Sequence, residues 1–371
     1  MIHPVAVIGG GISGAAAALR LAQGGRAPLW IAPDLQGAFK PGEHLGPAAT
    51  PLLKTLGSDA MLRAEVHRHA HSTYSAWGSD VLLERNAIVH LEGPPTVLDR
   101  AAFEQALTEA AVLAGAERIS QPVSKVQVCD GHWRLQVGSQ SLDAGFLIDA
   151  TGRKALIGSK YATRFQADKL CCQYALFDRP DRSPLRPVTL IESVPNGWWY
   201  LSVLADQRVV VNFYTDADLP GFDPAEFEAH VFQTNAIAAF LSDNALQIAT
   251  PATRLTTNSS WIAPAIGAGW AAIGDASAAF DPLSSHGMTT ALWSAIEVSD
   301  AYVAQDRKRM QAYADSVSKG VHDYLRARER VYAQEARWCE SPFWARRLKS
   351  IDDLGPPIAS QASERDPECL T

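Results

Sequence analysis

The sequence predicts an α/β (α+β) protein: a Rossmann-like βαβ unit leads, a sheet-rich second domain interrupts it, and long helices close the chain. Three observations predict this. A glycine-rich turn at residues 9–14 stands between an apolar run at 5–8 and an alanine-rich helical segment at 13–23. From about 165 to 256 the texture changes to short alternating segments of strand type. A last buried strand at 269–273 is then followed by helical stretches near 287–304 and 307–336.

Taken in order, residues 5–8 read as a buried strand, and Gly24-Gly25 ends the first helix. Residues 29–31 give the next strand. Helical spacing returns at 51–56 and at 101–114, the second preceded by Asp99 as an N-cap. Segments 123–128 and 132–137 alternate and turn at Asp130-Gly131, which predicts an antiparallel pair. Residues 145–148 form a buried strand. Segments 188–193, 198–204 and 208–214 form the second sheet, followed by one helix near 224–240. The cofactor domain is therefore discontinuous, at 1–75, 95–165 and 257–340. It encloses a substrate domain at 76–94 and 166–256, and 341–371 reads as an irregular tail.

The bulk numbers exclude some functions. With 371 residues the chain is long enough for two domains, and its net charge of −7 opposes binding to nucleic acid or anionic lipid. Its five cysteines are odd in number and have no paired spacing, as in a reducing compartment; vicinal Cys171-Cys172 reads as two buried small residues. No run approaches a membrane span, and no leader pattern opens the chain, so a cytoplasmic location is expected. The alternating His67, His69 and His71 have no Cys or acidic partner at ligand spacing, so no metal is expected.

The glycine turn carries the first chemistry. Gly9 permits the tight turn, Gly11 lets backbone approach a pyrophosphate, and Gly14 lets the helix pack on the strand. Ser13 opens the helix, whose N-terminus favours phosphate. The acid expected after the second strand is absent at Ala32, with Asp34 two positions on, which disfavours NAD more than FAD. Other grips suit FAD. Leu98-Asp99-Arg100 opens a helix from which Arg100 can reach a phosphate or the ribitol. Asp149-Ala150-Thr151-Gly152 ends a buried strand with small residues, and Gly274-Asp275-Ala276 ends another with a carboxylate suited to ribityl hydroxyls. The run Asp281-Pro282-Leu283-Ser284-Ser285-His286-Gly287-Met288 then starts a helix whose N-terminus can favour negative charge on a reduced flavin.

Together these motifs resemble the FAD-dependent aromatic hydroxylase superfamily, of p-hydroxybenzoate-hydroxylase-like architecture, over about residues 4–300. Pro41-Gly42-Glu43-His44, Ser75-Ala76-Trp77-Gly78-Ser79 and Gly197-Trp198-Trp199-Tyr200 look like its halogenase-like branch, in particular the small flavoproteins that mature tryptophylquinone-containing oxidases. That resemblance implies a monooxygenase that hydroxylates a tryptophan in a partner protein through a flavin C4a-hydroperoxide, with O2 as co-substrate. It places Glu43 with the cofactor residues. Trp77, Trp198, Trp199 and Tyr200 are expected to line the substrate pocket, and His44 and His286 to supply acid–base chemistry.

Halogenases of this branch carry a lysine between the G-E segment and L-D-R. Residues 55–97 contain none, and Ser284-Ser285-His286-Gly287 lacks the threonine expected before glycine. The alternatives are a small-molecule aromatic hydroxylase, an isoprenoid-type flavin reductase, a halogenase and a non-catalytic maturation chaperone. With no second G-x-G-x-x-G, electrons are expected from transiently bound NAD(P)H or a separate flavin reductase.

Overall fold

The computed structural model describes residues 2–34, 39–70, 72–86, 94–181 and 183–348. Its first sheet is built on the strand Ile2–Ile8, which pairs in parallel with Leu29–Ile31 on one side and Gln140–Asp149 on the other. Glu117–Ile119 extends the first side in parallel. The far edge of Gln140–Asp149 is shared: its beginning pairs with His132–Val137 of the predicted hairpin, and its end with Trp270–Ala272.

Four consecutive alanines, Ala15 to Ala18, are fully buried in the helix Ile12–Gln23. Their small side chains let it lie close between the sheet and the helix Gly287–Val303, where Arg20 Nε donates to Asp300 Oδ1 at 2.6 Å. Asp99 caps Arg100–Leu113 as expected, accepting from Ala102 N at 2.9 Å.

The second sheet is mainly antiparallel, in the order Gln247–Ile248, Leu170–Asp178, Val209–Asp216, Gly197–Val203, Val188–Val194, Ser72–Ala76 and Leu83–Asn86. Ser72–Ala76, which straddles the boundary expected between residues 75 and 76, pairs in parallel with Val188–Val194. Strand alternation sorts the aromatics: Trp199 and Phe213 face one core, Trp198 and Tyr214 the other.

Two expectations are corrected. The single helix near 224–240 is two helices, Phe227–Val231 and Ala236–Asp243. The buried Glu192 carboxylate divides them by accepting from Asn235 N (2.6 Å) and Ala236 N (2.9 Å), so a new helix starts on it. The tail is not irregular from 341: Pro342–Arg347 is helical, with Phe343 and Trp344 fully buried and Arg347 Nη2 donating to Asp216 Oδ1 at 2.7 Å. Residues 349–371 lie outside the described residues. No helix among the described residues is long and apolar enough to cross a membrane.

Candidate active site

The glycine turn sorts into residues that pack and one that faces open space. A Cβ on Gly9 would lie 2.1 Å from Ala150 O, and one on Gly14 2.0 Å from Gly9 O, so both positions exclude a side chain. Gly9 also has φ +130°, a region that favours glycine. Around a Cβ on Gly11, by contrast, no atom lies within 4 Å, and the same holds at Gly152 and Gly287. These three positions offer open backbone where a bound molecule can come close. Gly274 packs on Ser13, whose Cβ would lie 2.9 Å from the added atom, which explains why both residues are small.

Asp275 follows directly. Its carboxylate keeps a 39% exposed edge and lies 3.7 Å from Arg153 Nε. Burial pushes its pKa up, while the Arg153 and Arg100 guanidiniums pull it back. Arg100 itself is engaged: Nη1 donates to Gly42 O and Nη2 to Glu104 Oε1, both at 2.6 Å. It lines a cleft of about 740 Å³ with Gly10, Glu43, Lys40 and Arg208. Asp34, the displaced acid, pairs with Arg118, whose guanidinium lies over Trp30.

Asp149 is corrected from cofactor ligand to structural cap. It is fully buried, and its carboxylate accepts from Thr151 N, Thr151 Oγ1, Ile157 N and Gly158 N, at 3.1, 2.6, 2.7 and 3.2 Å. That shapes the loop around Gly152 from beneath.

The loop after Asp281 places Pro282 first in a short 3-10 turn and Ser285 at φ +52°, with Gly287 opening the long helix. Met288 is half-buried against the first core. His286 is exposed and lines a separate cleft of about 630 Å³ with Phe280, Trp293 and Tyr324. It is not brought together with His44.

His44 belongs to a buried polar group instead. The short strand His44–Leu45 pairs with Thr96–Val97, next to the Asp99 cap. The His44 Nε2 lies 2.9 Å from Ser202 Oγ, 3.3 Å from Thr189 Oγ1 and 3.7 Å from Glu43 Oε1. Glu43 Oε1 accepts from Tyr200 Oη at 2.7 Å. Burial lowers the His44 pKa against the opposing pull of Glu43, which leaves the imidazole neutral near pH 7. Burial and then Glu43 raise the Tyr200 pKa well above its ordinary value, so its hydroxyl stays a donor.

The expected aromatic pocket is corrected too. Trp199 is 2% exposed and sits on the far face of the sheet, against Phe213, Phe222 and Phe227. Trp198 is 1% exposed, stacks on Tyr214 with ring centres 3.9 Å apart, and donates from Nε1 to Tyr332 Oη. Trp77 packs edge-on against Trp198, Tyr332 and Trp344. Trp77 and Trp198 belong to the packed core under the last helix and Trp199 to the core of the other face; of the four predicted residues, Tyr200 alone joins the polar group beside the cleft.

A sequence profile described as tryptophan halogenase matches residues 96–355. The chain belongs to the tryptophan halogenase family. Its relatives include the putative FAD-dependent oxidoreductase LodB of Marinomonas mediterranea, 27% identical over 361 residues, which span 92% of this chain and 95% of LodB. A tryptophan 2-halogenase of Chondromyces crocatus is 23% identical, over 98% of this chain and 74% of its own. Among solved structures, the peptidyl tryptophan dihydroxylase QhpG, essential for tryptophylquinone cofactor biogenesis, has TM-score 0.76 at 23% identity, covering 94% of this chain and 80% of QhpG. The flavin-dependent brominase Bmp2 has TM-score 0.77 at 19% identity, covering 92% and 91%.

This tryptophan halogenase family member is an FAD-dependent oxidoreductase with a Rossmann-like flavoprotein fold. The open backbone at Gly11, Gly152 and Gly287 and the carboxylate of Asp275 fit that cofactor. Several supporting residues escape sequence reasoning. Arg153 donates to Phe280 O at 3.2 Å and to Asn258 O while facing Asp275. Ser202 and Thr189 orient His44. Their partners lie far away in sequence, so no local pattern marks them.

Proposed function

We propose that this chain is an FAD-dependent monooxygenase that hydroxylates a tryptophan side chain within a partner protein during tryptophylquinone biogenesis. The likeness to LodB along nearly the whole chain and to QhpG in fold supports this reading. The observation that carries it over halogenation is the placement of lysine: residues 55–97 contain none, and Lys40, which lines the cleft, is paired with Glu104. Proton-handling groups stand there instead: Glu43, His44 and Tyr200.

Bound FAD supplies oxygen activation. The chain's own residues bind it at Gly11 and Asp275 and keep His44 neutral on Ser202. His44 is then able to take up the proton that a ring carbon loses when it gains a hydroxyl. Electrons come from NAD(P)H directly or from a separate reductase.

Co-expression with candidate partner proteins, followed by intact-mass analysis, tests the proposal. A gain of one or two oxygen atoms on a tryptophan of the partner is expected. A halogen gain in bromide medium, or oxygen uptake with no mass change on any partner, would overturn it.

A further inference from the structure

Asp281 begins the loop that leads to Gly287, and it is fully buried. Its Oδ1 accepts from Leu283 N at 2.9 Å and shapes the 3-10 turn. Among the described residues, the other contacts of its carboxylate, and the partner of its N–H, come from one helix, Arg307–Tyr332. Tyr332 Oη donates to Asp281 Oδ2 at 2.7 Å, the Asp281 N–H donates to Tyr324 Oη at 2.9 Å, and Arg328 Nε lies 3.6 Å from Oδ2. Each of these groups is anchored in turn. Arg328 pairs with Asp168 at 3.1 Å, Tyr324 Oη lies 2.6 Å from Ser259 Oγ, and Tyr332 Oη accepts from Trp198 Nε1 at 3.2 Å.

Four residues beyond Asp281, Ser285 takes a left-handed conformation at φ +52° without being glycine. Such a residue persists where its surroundings over-determine it. Its own side chain is exposed, so the constraint comes from the anchored start of the loop and from the helix that follows.

We infer that Tyr332 and Tyr324 are positioning residues for the flavin: they clamp Asp281, and through it hold the Ser285–Gly287 backbone in the geometry that FAD requires. The inference rests on the FAD assignment and is independent of the substrate proposed above. It makes the helix Arg307–Tyr332 part of the redox site, although no residue of that helix appears among the family's recognisable motifs in this sequence.

The test compares Tyr332→Phe and Tyr324→Phe with the parent protein, reading FAD affinity of the apoprotein, flavin midpoint potential and apoprotein melting temperature. Lys319→Ala serves as a control, because Lys319 ion-pairs with Asp323 on the exposed side of the same helix. Losing one hydrogen bond to buried Asp281, at its carboxylate in Tyr332→Phe and at its N–H in Tyr324→Phe, is expected to raise the FAD dissociation constant by about tenfold. The midpoint potential should become more negative, since donors near Gly287 lose their alignment on the reduced flavin's charge. The control should show neither change. The inference is overturned if both variants keep parental FAD affinity and potential, whether or not melting temperature falls. Should Tyr332→Phe fail to fold, Tyr324→Phe carries the same test on the same loop.

Discussion

Tyr200 and Glu43 meet through one hydrogen bond of 2.7 Å, which joins the second sheet to the loop of the first domain that carries His44. Glu43 is 2% exposed, and among the described residues its carboxylate otherwise accepts from the neighbouring Gly42 N–H at 3.1 Å. Tyr200→Phe therefore strips a buried carboxylate of its main donor and is expected to cost about 1–3 kcal/mol in denaturant unfolding. The double variant Glu43→Gln/Tyr200→Phe should lose less than the sum of the singles. Additive losses would show that the two residues act separately.

His44 gives a pH signature. Its folded pKa lies below the ordinary value of 6.5, so between those two values the unfolded chain binds a proton that the native chain does not. Stability should be level above about pH 7 and fall as pH drops through 6.5, the native state being the one that resists protonation. His67 shifts in the same direction, so the diagnostic is the difference between parent and His44→Gln. Parallel curves for the two proteins would refute the assignment.

Two glycines separate cofactor binding from folding. Gly11→Ala adds a methyl where no protein atom lies within 4 Å, at an extended backbone conformation that alanine adopts. The apoprotein should melt normally and yet purify colourless, because the methyl obstructs the pyrophosphate. Gly14→Ala drives a methyl to 2.0 Å from Gly9 O and should destabilise the fold itself, by about 1–3 kcal/mol or more. Yellow Gly11→Ala holoprotein would remove this loop from the cofactor site.

Trp344 is fully buried, and its Nε1 donates to Val194 O at 2.9 Å. Trp344→Ala should cost about 3–5 kcal/mol and raise the reactivity of Trp77 and Trp198 toward indole reagents. A neutral outcome would mean that the last helix rests on the sheet without supporting it.

The cysteines should sort by exposure. Cys171 and Cys172 are adjacent on one strand, so they point to opposite faces, and both are buried. Burial raises both thiol pKa values, most strongly for Cys172. Among the four cysteines of the described residues, native maleimide labelling should reach exposed Cys339 first and leave the pair untouched until unfolding. Rapid loss of both thiols in native protein would point to a redox role for them.

What the sequence reveals here follows the range of the interactions. The glycine turn, the Asp99 cap and the hairpin at Asp130-Gly131 are local, and each was readable from a few neighbouring residues. Strand alternation was equally visible, yet it does not say which face of 198–200 meets which core, so Trp199 was taken for a pocket residue. Asp149 looked like a ligand because its motif is small and polar; its donors at Ile157 and Gly158 come from a loop whose path the motif does not encode. The helix at 342–347 was hidden because its reason for folding is Phe343 and Trp344 meeting Tyr332 and Val194, contacts that appear only once the sheet exists.

That last helix bears on how the molecule is made. The opening strand has Leu29–Ile31 as an early parallel neighbour but waits for residues 140–149 for its second, the same sheet waits for 270–272 to extend it, and the aromatic face waits for 342–347 to cover it. Such distant pairings are slow to form. A chain leaving the ribosome therefore carries an unfinished crevice until residues 270–287 have emerged, and bare indole rings until residues 342–347 follow. That interval is when the exposed rings most invite self-association.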